Sequence, residues 1–185
     1  NILIKGKYGS SAQSIIDTFR KTYPDKRVID ILSYDVVLRN AAKKFLQIKS
    51  SESTAKTYNM LTTLTFDIDG GTPIWHCGDL PFVFGNSETI PLYAALNKKG
   101  TAINKAISHS IACFAKCGDP SNEYTGKWHP VDPDSNHVMV FDQNCKCRKD
   151  FDDELIRAVL LSGNVKKFGG LSAFGNEEAN IDWIF

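Results

Sequence analysis

The run from Tyr58 to Phe66 constrains this chain more than any other stretch. It is a near-continuous series of β-favouring residues with no clean alternation of apolar and polar positions. A half-exposed antiparallel strand alternates, whereas a strand covered on both faces does not. The run therefore predicts one strand of a parallel α/β sheet. Parallel strands need long crossovers, normally helical, and the flanking sequence offers them. Ser10 to Tyr23 carries Ile15, Ile16 and Phe19 at helical spacing, with Pro24 just beyond its end. Asp35 to Ile48 carries an apolar stripe of Val37, Leu38, Ala41, Ala42, Phe45 and Leu46, with Asp35 as N-cap, and Ser50 to Thr54 reads as a loop. Thr101 to Cys117 places Ile103, Ala106, Ile107, Ile111 and Phe114 on one side, and Gly118-Asp119-Pro120 ends it. Gly126 to Asp134 reads as loop, Val138 to Asp142 as a short strand, and Asp152 to Leu161 as a helix opened by acidic residues. From Gly163 to Phe185 the chain is Gly-rich and polar, and is expected to be partly disordered. So few strands among so many helices predict part of a larger α/β domain.

Charge narrows the function classes. The 185 residues hold 22 basic and 21 acidic side chains, for a formal charge of +1. That balance argues against binding nucleic acid or a membrane surface through phosphate neutralisation. No apolar run approaches the ~18 residues of a spanning helix. The first residues, Asn-Ile-Leu-Ile-Lys, include no Met and no signal-like segment, and the expectation is a fragment or a processed chain. Five cysteines, Cys77, Cys113, Cys117, Cys145 and Cys147, form no scaffold of even number and high density, which points to a reducing, cytoplasmic setting.

After the predicted strand comes a turn rich in Asp and Gly, Asp67 to Gly71, and then Trp75-His76-Cys77-Gly78-Asp79-Leu80-Pro81-Phe82-Val83-Phe84-Gly85. A histidine on a loop just past a buried strand is well placed for general-base work, because imidazole both takes and returns a proton near neutral pH. This stretch resembles the catalytic-histidine block of the carboxylesterase/cholinesterase family, the type-B carboxylesterases among the α/β-hydrolases. Two later blocks resemble the same family in the same order. They are Phe114-Ala115-Lys116-Cys117-Gly118-Asp119-Pro120-Ser121-Asn122, and Lys127-Trp128-His129-Pro130 followed by Val138 to Phe141. In the last of these, His129 interrupts the family's Trp-Pro pair. The resemblance spans roughly residues 20 to 160. It implies that residues 1–162 are the C-terminal portion of an α/β-hydrolase domain, with His76 as the catalytic histidine. Asp79 matches an acidic position after that histidine, where it could hold backbone or water near the base, or simply cap the segment Leu80 to Phe84.

The rest of a hydrolase site is missing from the chain. No Gly-x-Ser-x-Gly elbow occurs, and Gly170-Leu171-Ser172-Ala173-Phe174-Gly175 has the wrong spacing and follows His76. No oxyanion-type glycine run occurs. Asp17, Asp25, Asp30 and Asp35 lie in or beside predicted helices and read as solvated or capping carboxylates. The resemblance therefore implies a serine esterase acting on small carboxylic esters, with nucleophile and acid on other sequence and no cofactor or metal. It also implies an upstream part of the same protein, or a second copy, as partner. Two rivals remain at this point. One is a cholinesterase-like interaction domain without catalysis. The other is a metal-bound structural module, because Cys113 and Cys117 are one turn apart and Cys145 and Cys147 form a tight pair, although the spacing fits no usual zinc knuckle. His109, His129 and His137 share no spacing and read as surface residues, and Trp75, Trp128 and Trp183 as packing residues.

Overall fold

The computed structural model describes residues 2–163. The predicted Gly-rich tail, with Trp183, lies outside them apart from Gly163. In chain order the helices are α1 (Ile2–Tyr8), α2 (Ala12–Thr22), α3 (Val36–Glu52), α4 (Leu80–Val83), α5 (Pro91–Ala94), α6 (Asn97–Cys117) and α7 (Asp153–Leu161). The strands are β1 (Met60–Thr62), β2 (Thr65–Phe66), β3 (Thr72–Pro73), β4 (His137–Phe141) and β5 (Lys146–Lys149). The chain divides into two units, Asn1–Phe45 with Asp152–Phe185, and Leu46–Phe151.

The first unit is helical. Ile15, Ile16 and Phe19 of α2 and Leu155, Ile156 and Val159 of α7 are buried where the two helices pack. The short α1 is an addition to the sequence reading. Its Ile4 and Tyr8 are buried one turn apart, and such packing rather than length holds so short a helix. α3 begins as predicted, with the Leu38 N–H donating to Asp35 Oδ1 at 3.0 Å. Its apolar stripe, however, is not its buried face. Leu38 and Phe45 are 57% and 64% exposed, while Val36 and Lys43 are buried. The reason is Asp152, whose carboxylate is fully buried. Arg39 grips it with Nε at 2.9 Å and Nη2 at 3.0 Å, Tyr34 donates at 2.8 Å, and Lys43 Nζ lies 3.6 Å away and also pairs with Asp153. A buried charge must be paired, so α3 turns its cations inward.

The second unit holds the sheets. β1 and β4 pair in parallel, with Leu61 opposite Val140, and β4 and β5 pair antiparallel, giving the order β1-β4-β5. The parallel pairing and the α/β class agree with the sequence reading. The single predicted strand does not, because it divides in two. Thr63 N–H still reaches Phe141 O at 2.9 Å, but the next residue changes partner, and Leu64 O accepts from Ile74 N–H at 2.8 Å. β2 then forms a small antiparallel pair with β3. Composition reports that a segment favours extension, not which neighbour it pairs with. Helix ends also moved. α3 runs to Glu52 because the Ser50 and Ser51 hydroxyls donate to Gln47 O and keep the last turn closed. α6 starts at Asn97, ahead of the expected Thr101, with Gly100 inside it. A Cβ there would lie 2.8 Å from Leu96 Cβ and 3.1 Å from Tyr93 O, so this glycine permits close packing. Around it lies the core of Leu64, Phe66, Phe82, Tyr93, Ile103, Ile107, Trp128, Met139 and Phe141.

Candidate active site

His76 lies on an exposed turn between β3 and α4. The turn starts from a fixed point, since Ile74 is tied to Leu64, just beyond the carboxyl end of β1. It closes when Gly78 N–H donates to Trp75 O at 2.9 Å. Cys77, the third residue of that turn, has a φ of +60°. Only glycine adopts such a conformation without steric cost. Gly78 has no room for a side chain, because a Cβ would meet Ile74 Cγ1 at 2.7 Å and Trp75 O at 3.0 Å.

Aromatic packing holds the turn from beneath. The Trp75 ring sits 5.0 Å from the Phe66 ring and 6.4 Å from Tyr93. Tyr93 packs on Phe66 and Phe82 and donates its hydroxyl to Gly78 O at 2.7 Å. Burial, and then the nearby Asp79 carboxylate, push the Tyr93 phenol above its ordinary range. Asp79 is therefore close to the turn. It occupies the N-cap position of α4 without a side-chain capping bond, and its carbonyl accepts from Phe82 and Val83. Among the described residues His76 forms no hydrogen bond or ion pair. In the same stretch Trp75, Leu80 and Phe84 are 46%, 45% and 75% exposed. A groove of ≈ 590 Å³ lies elsewhere, between the first half of α6 and the β4–β5 turn, and its lining of Lys98, Lys105, Tyr124, Asp142 and Cys145 includes neither His76 nor Asp79.

The remaining sequence candidates stand apart from His76. All five thiols are unbridged. Cys117 donates to Cys113 O at 3.1 Å, and Cys147 lies on β5 opposite Met139. Among the described residues no three His, Cys, Asp or Glu side chains are grouped to hold a metal. Asp17 accepts from Gln13, Asp30 pairs with Arg27, and Asp35 caps α3. One grouping went unseen in the sequence. The His129 and His137 rings stack with centroids 5.2 Å apart. His137 Nδ1 is 3.2 Å from Pro130 O and 3.3 Å from Ser135 Oγ, while Ser135 donates to Asp132 Oδ2 at 2.6 Å. A carbonyl can only accept, so in the contact with Pro130 O the His137 Nδ1 is the donor. Strand β4 brings these residues together, and no local spacing announces it.

Three solved structures resemble the chain over most of its length. An esterase from the anaerobe Clostridium hathewayi, described as able to hydrolyse aliphatic aromatic polyesters, matches 88% of this chain at 25% identity, with a TM-score of 0.81. A pNB esterase matches 85% at 16% identity with a TM-score of 0.58. A thermophilic pNB esterase matches 84% at 18% identity with a TM-score of 0.55. These neighbours are esterases of the type-B carboxylesterase-like α/β-hydrolase kind. The chain spans about a third of their length, 32% in each case. No family model matches the chain, and no curated protein matches it. Its fold is thus mixed helix and sheet, corresponding to part of an esterase α/β-hydrolase.

Proposed function

We propose that this chain is the C-terminal portion of a serine carboxylesterase for small carboxylic esters, and that His76 is its catalytic base. The observation that carries the reading is the match to the C. hathewayi esterase over most of this chain. The His76 turn supports it, being strained, braced by aromatics, flanked in sequence by exposed apolar side chains and tied through Ile74 to Leu64, just after the parallel strand β1. Strain of this kind at Cys77 accompanies functional turns.

The chemistry needs a serine from the remainder of the protein. His76 takes the proton from its hydroxyl as the oxygen attacks the ester carbonyl. The imidazolium returns that proton to the departing alkoxide, leaving an acyl-enzyme. Water then attacks the acyl carbon, again deprotonated by His76, and the serine recovers its proton as the carboxylic acid leaves. Asp79 contributes by holding the turn and its local field rather than as the orienting acid, because in this fold class the acid precedes the histidine. The exposed thiols fit a reducing compartment such as the cytoplasm.

The test uses p-nitrophenyl acetate. The 185-residue chain should hydrolyse it no faster than free imidazole does, since an imidazole without nucleophile and oxyanion donors retains little of the rate, and those donors alone are worth about a hundredfold or more. A chain extended by its preceding coding sequence should turn it over, and His76→Ala should abolish that turnover with the circular dichroism unchanged. Full activity in His76→Ala, or saturable turnover by the short chain, refutes the reading.

A further inference from the structure

The groove between α6 and the β4–β5 turn shares no residue with the His76 turn, and all of its lining belongs to the second unit. Small side chains make the space. Ala102 and Ala106 line it from α6, where longer residues would close an opening of ≈ 590 Å³. Hydrogen bonds fix both walls. On one side Asn122 Nδ2 donates to Ser110 Oγ at 2.8 Å, and Asn122 Oδ1 accepts from the Tyr124 N–H at 2.9 Å. The His109 ring packs T-shaped on the Tyr124 ring, with centroids 4.7 Å apart, and holds it in place. On the other side Asp142 accepts from Thr63 Oγ1 at 3.0 Å and from the Gln143 N–H at 2.8 Å. The carboxylate in the lining thus has both oxygens engaged. Lys98, Ala102 and Lys105 fall on one stripe of α6. Two turns of helix separate the lysines by about 10 Å along the axis, with the small apolar residue between them. Among the described residues neither ammonium pairs with a carboxylate, and Lys105 Nζ lies 6.0 Å over the Tyr124 ring.

We infer that this groove binds an elongated aromatic dicarboxylate, with its ring over Ala102 beside Tyr124 and one carboxylate at each lysine. The ends of the ligand follow from charge. Two ammonium groups with no acidic partner favour two anions, and a single carboxylate leaves one of them unanswered. Its body follows from the surface between them, which is apolar on the helix and aromatic at Tyr124, so a flat ring fits where a polar linker would be desolvated without a partner. Its length follows from the helix. A benzene ring with carboxylates in para positions spans most of the separation, and the flexible lysine stems take up the rest. The side-chain amides of Gln143 and Asn144, also in the lining, can donate to the carboxylate oxygens. This site is independent of His76 and of the proposed function.

An amide NMR titration of the 185-residue chain with terephthalate tests it without reference to activity. At low salt, where exposed pairs are least screened, binding should saturate with a Kd of about 1 mM. The Tyr124, Gln143 and Asn144 amides should shift and that of His76 should not. Benzoate, one carboxylate short, should bind about fivefold less tightly, and neutral dimethyl terephthalate should not saturate. Lys98 and Lys105 are exposed. Lys98→Gln and Lys105→Gln should therefore each weaken terephthalate about fivefold and leave the thermal midpoint unchanged. Ala102→Leu keeps both charges and fills the space between them, so it should abolish binding while the amide spectrum stays that of a folded chain. Affinity unchanged by Ala102→Leu or by either lysine variant would overturn the inference. So would inorganic phosphate binding as tightly as terephthalate, which reduces the groove to a patch of charge, or an absence of saturation well above millimolar ligand.

Discussion

His76 owes its direction to its neighbours. The Gly78–Trp75 hydrogen bond, the positive φ at Cys77 and the Tyr93 hydroxyl on Gly78 O together fix the turn that carries it. Replacing Cys77 with glycine removes the steric cost of that φ and should stabilise the second unit by about 1 kcal/mol, read as a higher urea midpoint. In the extended enzyme the same change should lower kcat, because a relaxed turn holds the imidazole less well. Unchanged stability would mean that the turn stores no strain. Tyr93→Phe should cost about 1 kcal/mol through the lost buried hydrogen bond. That His76 lies on a turn after extended chain was legible from the Asp- and Gly-rich stretch Asp67 to Gly71 ahead of it. Its support was not, because Tyr93 lies 15 positions beyond Gly78 and the strain resides in a backbone angle. The stacked pair His129 and His137 escaped for the same reason.

At the scale of elements, α3 shows how polar pairing can overrule an apolar stripe. Its start and N-cap were readable from Asp35 and the periodicity, but its last turn was not, and its facing was decided by the residue ahead of α7. Phe45→Gln should therefore change the stability of the chain by less than about 0.5 kcal/mol, where a core phenylalanine lost to a small residue costs about 3–5 kcal/mol. Asp152→Ala should be far more damaging, about 3–5 kcal/mol, since it removes the carboxylate that Arg39 grips with two hydrogen bonds in a buried setting. Burial pushes the Asp152 carboxyl up, but Arg39, Lys43 and the Tyr34 hydroxyl outweigh it and hold the group below the ordinary aspartate range. Burial and Asp152 itself drive the Tyr34 phenol upward. A carboxyl with a depressed folded pKa contributes fully above its unfolded value, about 4, and loses that contribution as pH falls through the folded value. Urea midpoints should thus decline below about pH 4 in the wild type, and the Asp152→Asn protein should lack that component. The parallel partner of β1 was likewise predicted as a kind of pairing, whereas the break at Thr63–Leu64 depended on Ile74 and could not be read locally.

The whole chain spans about a third of the esterases it matches and is uneven in construction. Titration of the denatured protein without reductant should find all 5 thiols reactive, and a count of one would contradict the structure. The second unit is a single stretch of chain, while the first is assembled from two, on either side of it. Arg39 and Asp152 are separated by 113 positions. During synthesis Arg39 and Lys43 therefore wait on the order of ten seconds for the carboxylate that neutralises them. The continuous unit can close as soon as Phe151 has emerged, and the divided one only afterwards. A ribosome that stops short of Asp152 would release a chain whose sheet can form but whose helical unit keeps two cations and no anchor, so a segment made later decides whether α3 ever settles.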